Sequence, residues 1–174
     1  MKGIVADALH QLVSTAFGHD QWAELLTRAG MDPTRTFTHN EDLPFETILA
    51  MFGAACDIGG MTFEQACDAY GAFWVGSYIP ANYPEFYAGV SSAKEFLLKL
   101  DAIHDNIARR MPGAHPPMHS YRWIDGGTLE MGYRSSYEGL QTLFIGAVKG
   151  AALHYGDTID VVRHDDHSVH ISFH

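Results

Sequence analysis

Cysteine is scarce in this sequence: its 174 residues include two, Cys56 and Cys67, with no C-x-x-C pair. That excludes a disulfide framework and a thiolate zinc site, and fits two ordinary thiols in a reducing cytosol. Positive charge is also short. Eleven Lys and Arg stand against 21 Asp and Glu, giving a net charge of −10 and a pI near 5.4. A chain of that sign repels a phosphate backbone, so no nucleic-acid partner is expected. No window approaches the ~18 uninterrupted apolar residues of a membrane span. The start, MKGIVADALHQLV, lacks the long apolar core of a secretory signal. Internal repeats, low-complexity tracts and linkers are missing as well. No nucleophile–base pair or phosphate loop stands out, which argues against an enzyme.

What is present is a hydrophobic content of 47%, enough to build a substantial core in one globular unit spanning residues 1–174. Residues 1 to about 112 read as mostly helical, and those from about 117 as mostly strand with one more helix, an order that predicts an α+β fold. Ile4, Leu9, Leu12, Val13 and Phe17 recur at helical spacing before Gly18. Asp20 reads as the N-cap of a second helix with Trp22, Leu25 and Leu26 inward. A third helix is expected from about Pro44 to Ile58, and a fourth opens at the capping box of Thr62 and Gln65. PANYPEFYAG is too irregular for a strand and reads as a packed loop. The best-defined helix starts at Ser92 with Glu95 three positions on, and its inward stripe is Leu97, Leu100, His104, Ile107 and Met111. Hairpins are expected at Asp125-Gly126-Gly127 and near Asp165-Asp166, with a helix from Glu138 between them.

Within that frame His104 is the first residue to weigh, because an imidazole on an apolar stripe must satisfy each buried nitrogen. It is either a hydrogen-bonded core residue or an axial ligand to haem iron, which needs one nitrogen free in a water-poor pocket. The segment GYRSSYEGL is the second. Strand alternation puts Tyr133, Ser135 and Tyr137 on one face and Arg134 on the other, a spacing that suits either carboxylates lying along the strand or plain cross-strand packing. His164, His167, His170 and His174 offer an H-x-x-H spacing, but on a hairpin i and i+3 do not share a face, so a solvated turn and strand is expected. Asp101 and Asp105 beside His104 suit capping, solubility or a supporting hydrogen bond better than acid–base catalysis.

Taken in order, MKGIV, FGHDQW, FYAG, LKLDAIHDNI, GAHPP and the Y-x-S at Tyr133 resemble the haem nitric oxide/oxygen-binding (H-NOX) family, which also supplies the sensor of soluble guanylate cyclase. The resemblance runs essentially end to end. It implies an H-NOX fold, with helices first and a four-stranded antiparallel sheet with packed helices last, holding haem b between the two parts. Without a C-x-x-C-H, covalent attachment is not expected. His104 would be the proximal iron ligand, Pro117 would press on and distort the porphyrin, and Tyr133 and Ser135 would bind its propionates. The family pattern is Y-x-S-x-R, and its arginine falls on Tyr137. A phenol neutralises nothing, whereas a guanidinium makes charge-assisted bonds about twice as strong as neutral ones.

The resemblance extends to the distal side. Val5 and Leu9 would be apolar neighbours of the bound gas, with Trp74 and Tyr78 from the fourth helical segment. Oxygen-binding relatives carry a tyrosine where this chain has Thr142, a poorer donor. The implied function is that of a cytoplasmic, bacterial gas sensor. Nitric oxide or carbon monoxide would bind ferrous haem, and the signal would pass in trans to a histidine kinase or cyclic-di-nucleotide enzyme. A haem-free protein-interaction module is the alternative that Tyr137 favours.

Overall fold

The computed structural model of the chain describes residues 1–137 and 139–174. It divides into two compact units, Met1–Cys67 and Asp68–His174.

The first unit holds helices α1 (Ile4–Phe17), α2 (Asp20–Arg28) and α3 (Phe45–Gly59) and the start of α4 (Phe63–Phe73). Its opening residues are tied down by close packing. The ammonium of Lys2, 8% exposed, lies 2.7 Å from the Asp42 carboxylate, and a Cβ on Gly3 would stand 2.1 Å from the Thr38 carbonyl oxygen. α1 buries Ile4, Ala6, Ala8, Leu9 and Val13, while Val5 is half-buried. In α2, Trp22, Leu25 and Leu26 are buried as their spacing predicts, but Asp20 is the first helical residue rather than the cap and makes no capping bond. The reciprocal bonds of the Thr62–Gln65 capping box both form, at 2.9 and 3.2 Å. Cys67 is buried, and desolvation pushes its thiol up to about 12.

In the second unit α4 passes into a five-residue π-helix, Trp74–Tyr78, which the sequence does not announce. α5 (Ile79–Asn82) and a 3₁₀ turn (Pro84–Phe86) follow where a packed loop was expected. The Tyr87 hydroxyl donates to the Val75 carbonyl within the π-turn, satisfying a group that the wider turn leaves off the regular α ladder.

The expected single helix from Ser92 is two, α6 (Ala93–Leu98) and α7 (Leu100–Arg110), broken at Lys99. Ser92 caps α6 as predicted by accepting from the Glu95 N–H, while the Glu95 carboxylate reaches back to Ser91. Lys99 turns away and donates to the Gly89 carbonyl.

Strands β1 (Met118–Trp123), β2 (Thr128–Arg134), β3 (Ile159–Arg163) and β4 (Ser168–Phe173) form an antiparallel sheet in the order β1-β2-β4-β3. The first hairpin turns at Asp125, whose carboxylate accepts from the Gly127 and Thr128 amides. Between the hairpins α8 runs Gln141–Tyr155; the expected start at Glu138 lies outside the described residues. Met131 of β2, Val169 and Ile171 of β4, Phe96 and Leu97 of α6, and Phe144 and Val148 of α8 pack into one core cluster. Glycines bring α8 and the α4–π segment together. A Cβ on Gly146 would lie 2.1 Å from the Asp68 carbonyl oxygen, and on Gly71, 2.1 Å from that of Leu143.

Candidate functional site

α7 is amphipathic, yet none of its residues is fully buried, and His104 sits half-buried on its inner stripe. Its Nδ1 lies 3.0 Å from the main-chain oxygen of Pro117. A carbonyl only accepts, so Nδ1 carries the hydrogen and Nε2 is left with a lone pair. Burial first, and then the neighbouring His119, push His104 down to about 4, so the ring is neutral near pH 7. A neutral imidazole, oriented through one nitrogen and bare at the other, is what a metal ligand requires. This donor set fits an axial ligand to haem iron.

The loop after α7 brings β1 alongside it and adds a residue the sequence reading did not single out. The His119 side chain is 1% exposed, and its ring centroid stands 5.2 Å from that of His104. Its Nδ1 lies 2.9 Å from Oδ1 of Asp101, which also accepts from the His119 amide. Asp101 therefore plays the supporting role expected of it, but toward His119. The one signal available in sequence was the alternation of His119 with Tyr121 along β1. Both are half-buried between more exposed neighbours.

Tyr133 ends the inner face of β2 and stacks on Phe144 of α8, with centroids 4.9 Å apart. Desolvation raises its phenol, opposed by a hydrogen bond with Ser135. The period-two relation does not continue to Tyr137, because β2 ends at Arg134. The Ser135 hydroxyl accepts from the Tyr137 amide at 3.1 Å, a local turn that competes with the strand ladder. Tyr137 is half-buried and Arg134 exposed.

Trp74 and Tyr78 fall on the π-helix and stack on one another, with centroids 5.4 Å apart, and Tyr78 is 1% exposed. Thr142 is engaged elsewhere: its hydroxyl accepts from Arg163 of β3 at 3.0 Å. Val5 and Leu9 belong to the first unit, as described above.

The C-terminal histidines are arranged differently from the H-x-x-H spacing. His170 stands directly across from Glu130 in the β2–β4 register. Oε2 of Glu130 is 3.2 Å from Nε2 of His170 and 4.0 Å from that of His164, and the two imidazoles stack at 4.2 Å. Arg122 holds both oxygens of that carboxylate, at 3.0 and 2.6 Å. His174 pairs instead with Asp160 at 2.9 Å.

An α+β chain with this sheet order and a neutral imidazole oriented through Nδ1 on α7 points to a cofactor-holding class of domain. The haem-NO-binding family profile matches residues 2–163, and the chain belongs to that family. It is 25% identical to soluble guanylate cyclase gcy-32 of Caenorhabditis elegans over 178 residues, covering 99% of this chain and 26% of that protein. Soluble guanylate cyclase gcy-34 of the same organism is also 25% identical, over 87% of this chain and 23% of its own length. The chain thus spans about a quarter of those relatives. Among solved structures, an H-NOX protein from S. oneidensis in the Fe(II)NO ligation state aligns with a TM-score of 0.89 at 18% identity, covering 100% and 99% of the two chains. An oxygen-binding H-NOX domain related to soluble guanylate cyclases aligns at 0.84 and 22% identity, over 99% and 95%. The H-NOX fold and the α+β expectation are both met. No helix among the described residues is long and apolar enough to cross a membrane.

Proposed function

We propose that this domain binds haem b through Nε2 of His104 and senses nitric oxide, with carbon monoxide as a second ligand. The observation that carries the reading is the Nδ1 bond of His104 to Pro117, which fixes the tautomer and leaves Nε2 as the available donor. When bound, haem supplies a ferrous iron at which a diatomic gas can attach.

The residues do the rest. Pro117 holds His104 by its carbonyl and, in this reading, bears on the porphyrin with its ring. Tyr133 and Ser135 would donate hydroxyl hydrogen bonds to the propionates, and Tyr137 stands where family members have a cationic anchor. Trp74 and Tyr78 line the gas side. Thr142, whose hydroxyl is already engaged by Arg163, is a weak candidate to stabilise oxygen, which favours nitric oxide and carbon monoxide. His104 would hold the iron, and because its bond to Pro117 joins α7 to the residue that leads into β1, a change in that hold would be felt by both elements. Such a shift can bias an effector only as far as the gas distinguishes the two states. We assign that effector to a separate signalling protein, a histidine kinase or a cyclic-di-nucleotide enzyme.

One observation favours a second reading, a haem-free interaction module: Tyr137 removes the charged anchor. The absorption spectrum of haem-loaded protein separates the two. A Soret band lost in His104→Ala, indifferent to air and shifted by nitric oxide, supports the sensor. A folded protein with no Soret band supports the module.

A further inference from the structure

Met131, Val169 and Ile171 point into the core, so the residues that alternate with them lie on the outer face of the sheet. There a polar row runs across the strands: Arg122 of β1 stands opposite Glu130 of β2, and Glu130 opposite His170 of β4. Val162 of β3 comes next, opposite His170. Two positions beyond it His164 reaches the same face, and its ring stacks on that of His170 at 4.2 Å. The histidine pair is made between two strands, so the H-x-x-H spacing does not encode it.

Both imidazoles approach one atom through the same nitrogen. Oε2 of Glu130 is 3.2 Å from Nε2 of His170 and 4.0 Å from Nε2 of His164, and one ligating atom from each of the three residues lies within 4.8 Å of the other two. Arg122 grips both carboxylate oxygens from the β1 side and holds the carboxyl below its usual range, so Glu130 is charged and fixed. At metal–ligand distances of about 2.1 Å, tetrahedral donors stand roughly 3.4 Å apart. One of the two spacings already meets that value, and the other exceeds it by about 0.6 Å. The ring planes are 17° from parallel, so the His164 ring must turn about its Cβ–Cγ bond to aim a lone pair at an ion. That torsion is broad for histidine, and the side chain is 48% exposed.

We propose that Glu130, His164 and His170 form a site for a divalent transition ion of the Zn2+ class, which clamps the β3–β4 hairpin to β2. Two imidazole nitrogens and one carboxylate oxygen are a donor set that Zn2+ takes, with water completing the coordination. Arg122 supplies the outer hydrogen bonds that orient a ligating carboxylate. In the ion-free form the carboxylate has no hydrogen to give, so the neutral His170 ring carries its hydrogen on Nε2. On binding, that hydrogen moves to Nδ1 through solvent, and the Nε2 lone pair turns to the ion. The site shares no residue with the haem reading and stands without it.

The test is equilibrium dialysis of the whole, untagged chain against Zn2+, with metal content read by atomic absorption and far-UV circular dichroism as the folding control. His164→Ala and His170→Ala should each weaken retention by about 100-fold or more, beyond the cost of losing a merely supporting partner. Glu130→Gln, close in shape, should do the same. His167→Ala and His174→Ala remove neighbouring imidazoles outside the trio and should leave retention unchanged, as should His104→Ala. Zn2+ should also raise the melting temperature of the parent and not that of His164→Ala, the mark of a clamp. No Zn2+ on the folded parent, or equal retention in His164→Ala and His170→Ala, overturns the proposal. Loss of retention in His167→Ala does so too, by placing the ion on the turn.

Discussion

Nδ1 of His104 lies 3.0 Å from the carbonyl oxygen of Pro117, so the proposed iron ligand and the proline expected to bear on the porphyrin are joined by one hydrogen bond. The acceptor belongs to the main chain, and the pyrrolidine ring does not. Pro117→Ala should therefore keep His104 oriented and the Soret band in place, while altering the reduction potential of the loaded protein. Spectroelectrochemistry reads both, and loss of haem to the extent seen in His104→Ala would contradict this division of labour.

Acid should unfold the haem-free protein through the same ring. The folded His104 titrates at about 4 against an ordinary 6.5, so between those values the unfolded chain binds the extra proton. Stability then falls as pH drops through 6.5 and levels off below 4, by up to about 3 kcal/mol from this ring. Urea midpoints at pH 7 and pH 5 should differ less in His104→Gln than in the parent.

Tyr137→Arg should strengthen the hold on haem by restoring a charge-assisted bond to a propionate, worth about 1.5–3 kcal/mol. Haem transfer to excess apomyoglobin measures it, and transfer slower by about tenfold or more is expected. An unchanged rate would mean that the turn at Ser135 keeps position 137 away from the propionates.

Gly146→Ala should destabilise the fold by about 1–3 kcal/mol, because the new Cβ would meet the Asp68 main chain rather than a movable side chain. Gly126→Ala, with nothing within 4 Å of its Cβ and no left-handed backbone, serves as the control. Thermal melts followed by circular dichroism should separate them clearly.

Much of this molecule could be read in its sequence because the signals were local. Both hairpins, the Thr62 box and the stripe carrying His104 follow from turn chemistry and from steps of three and four. Local signals did not extend to the break at Lys99, where a lysine offers no marked helix-stopping chemistry, or to the π-helix at Trp74. Ser135 looked like a strand residue because alternation predicts direction and says nothing of where pairing stops. His119 and the Glu130–His170 pair were out of reach for another reason. Each depends on which segments lie side by side, and the β1–α7 and β2–β4 contacts join residues 18 and 40 positions apart.

The glycines between α8 and the α4–π segment give the second unit a mechanical property. Where main chain meets main chain, no flexible side chains lie between to absorb a displacement, so the two segments can be expected to move as one stiff lever. Trp74 and Tyr78 ride on one arm of it, and Phe144, stacked on Tyr133, rides on the other. A push on either aromatic pair would then be transmitted across the unit instead of dying out locally.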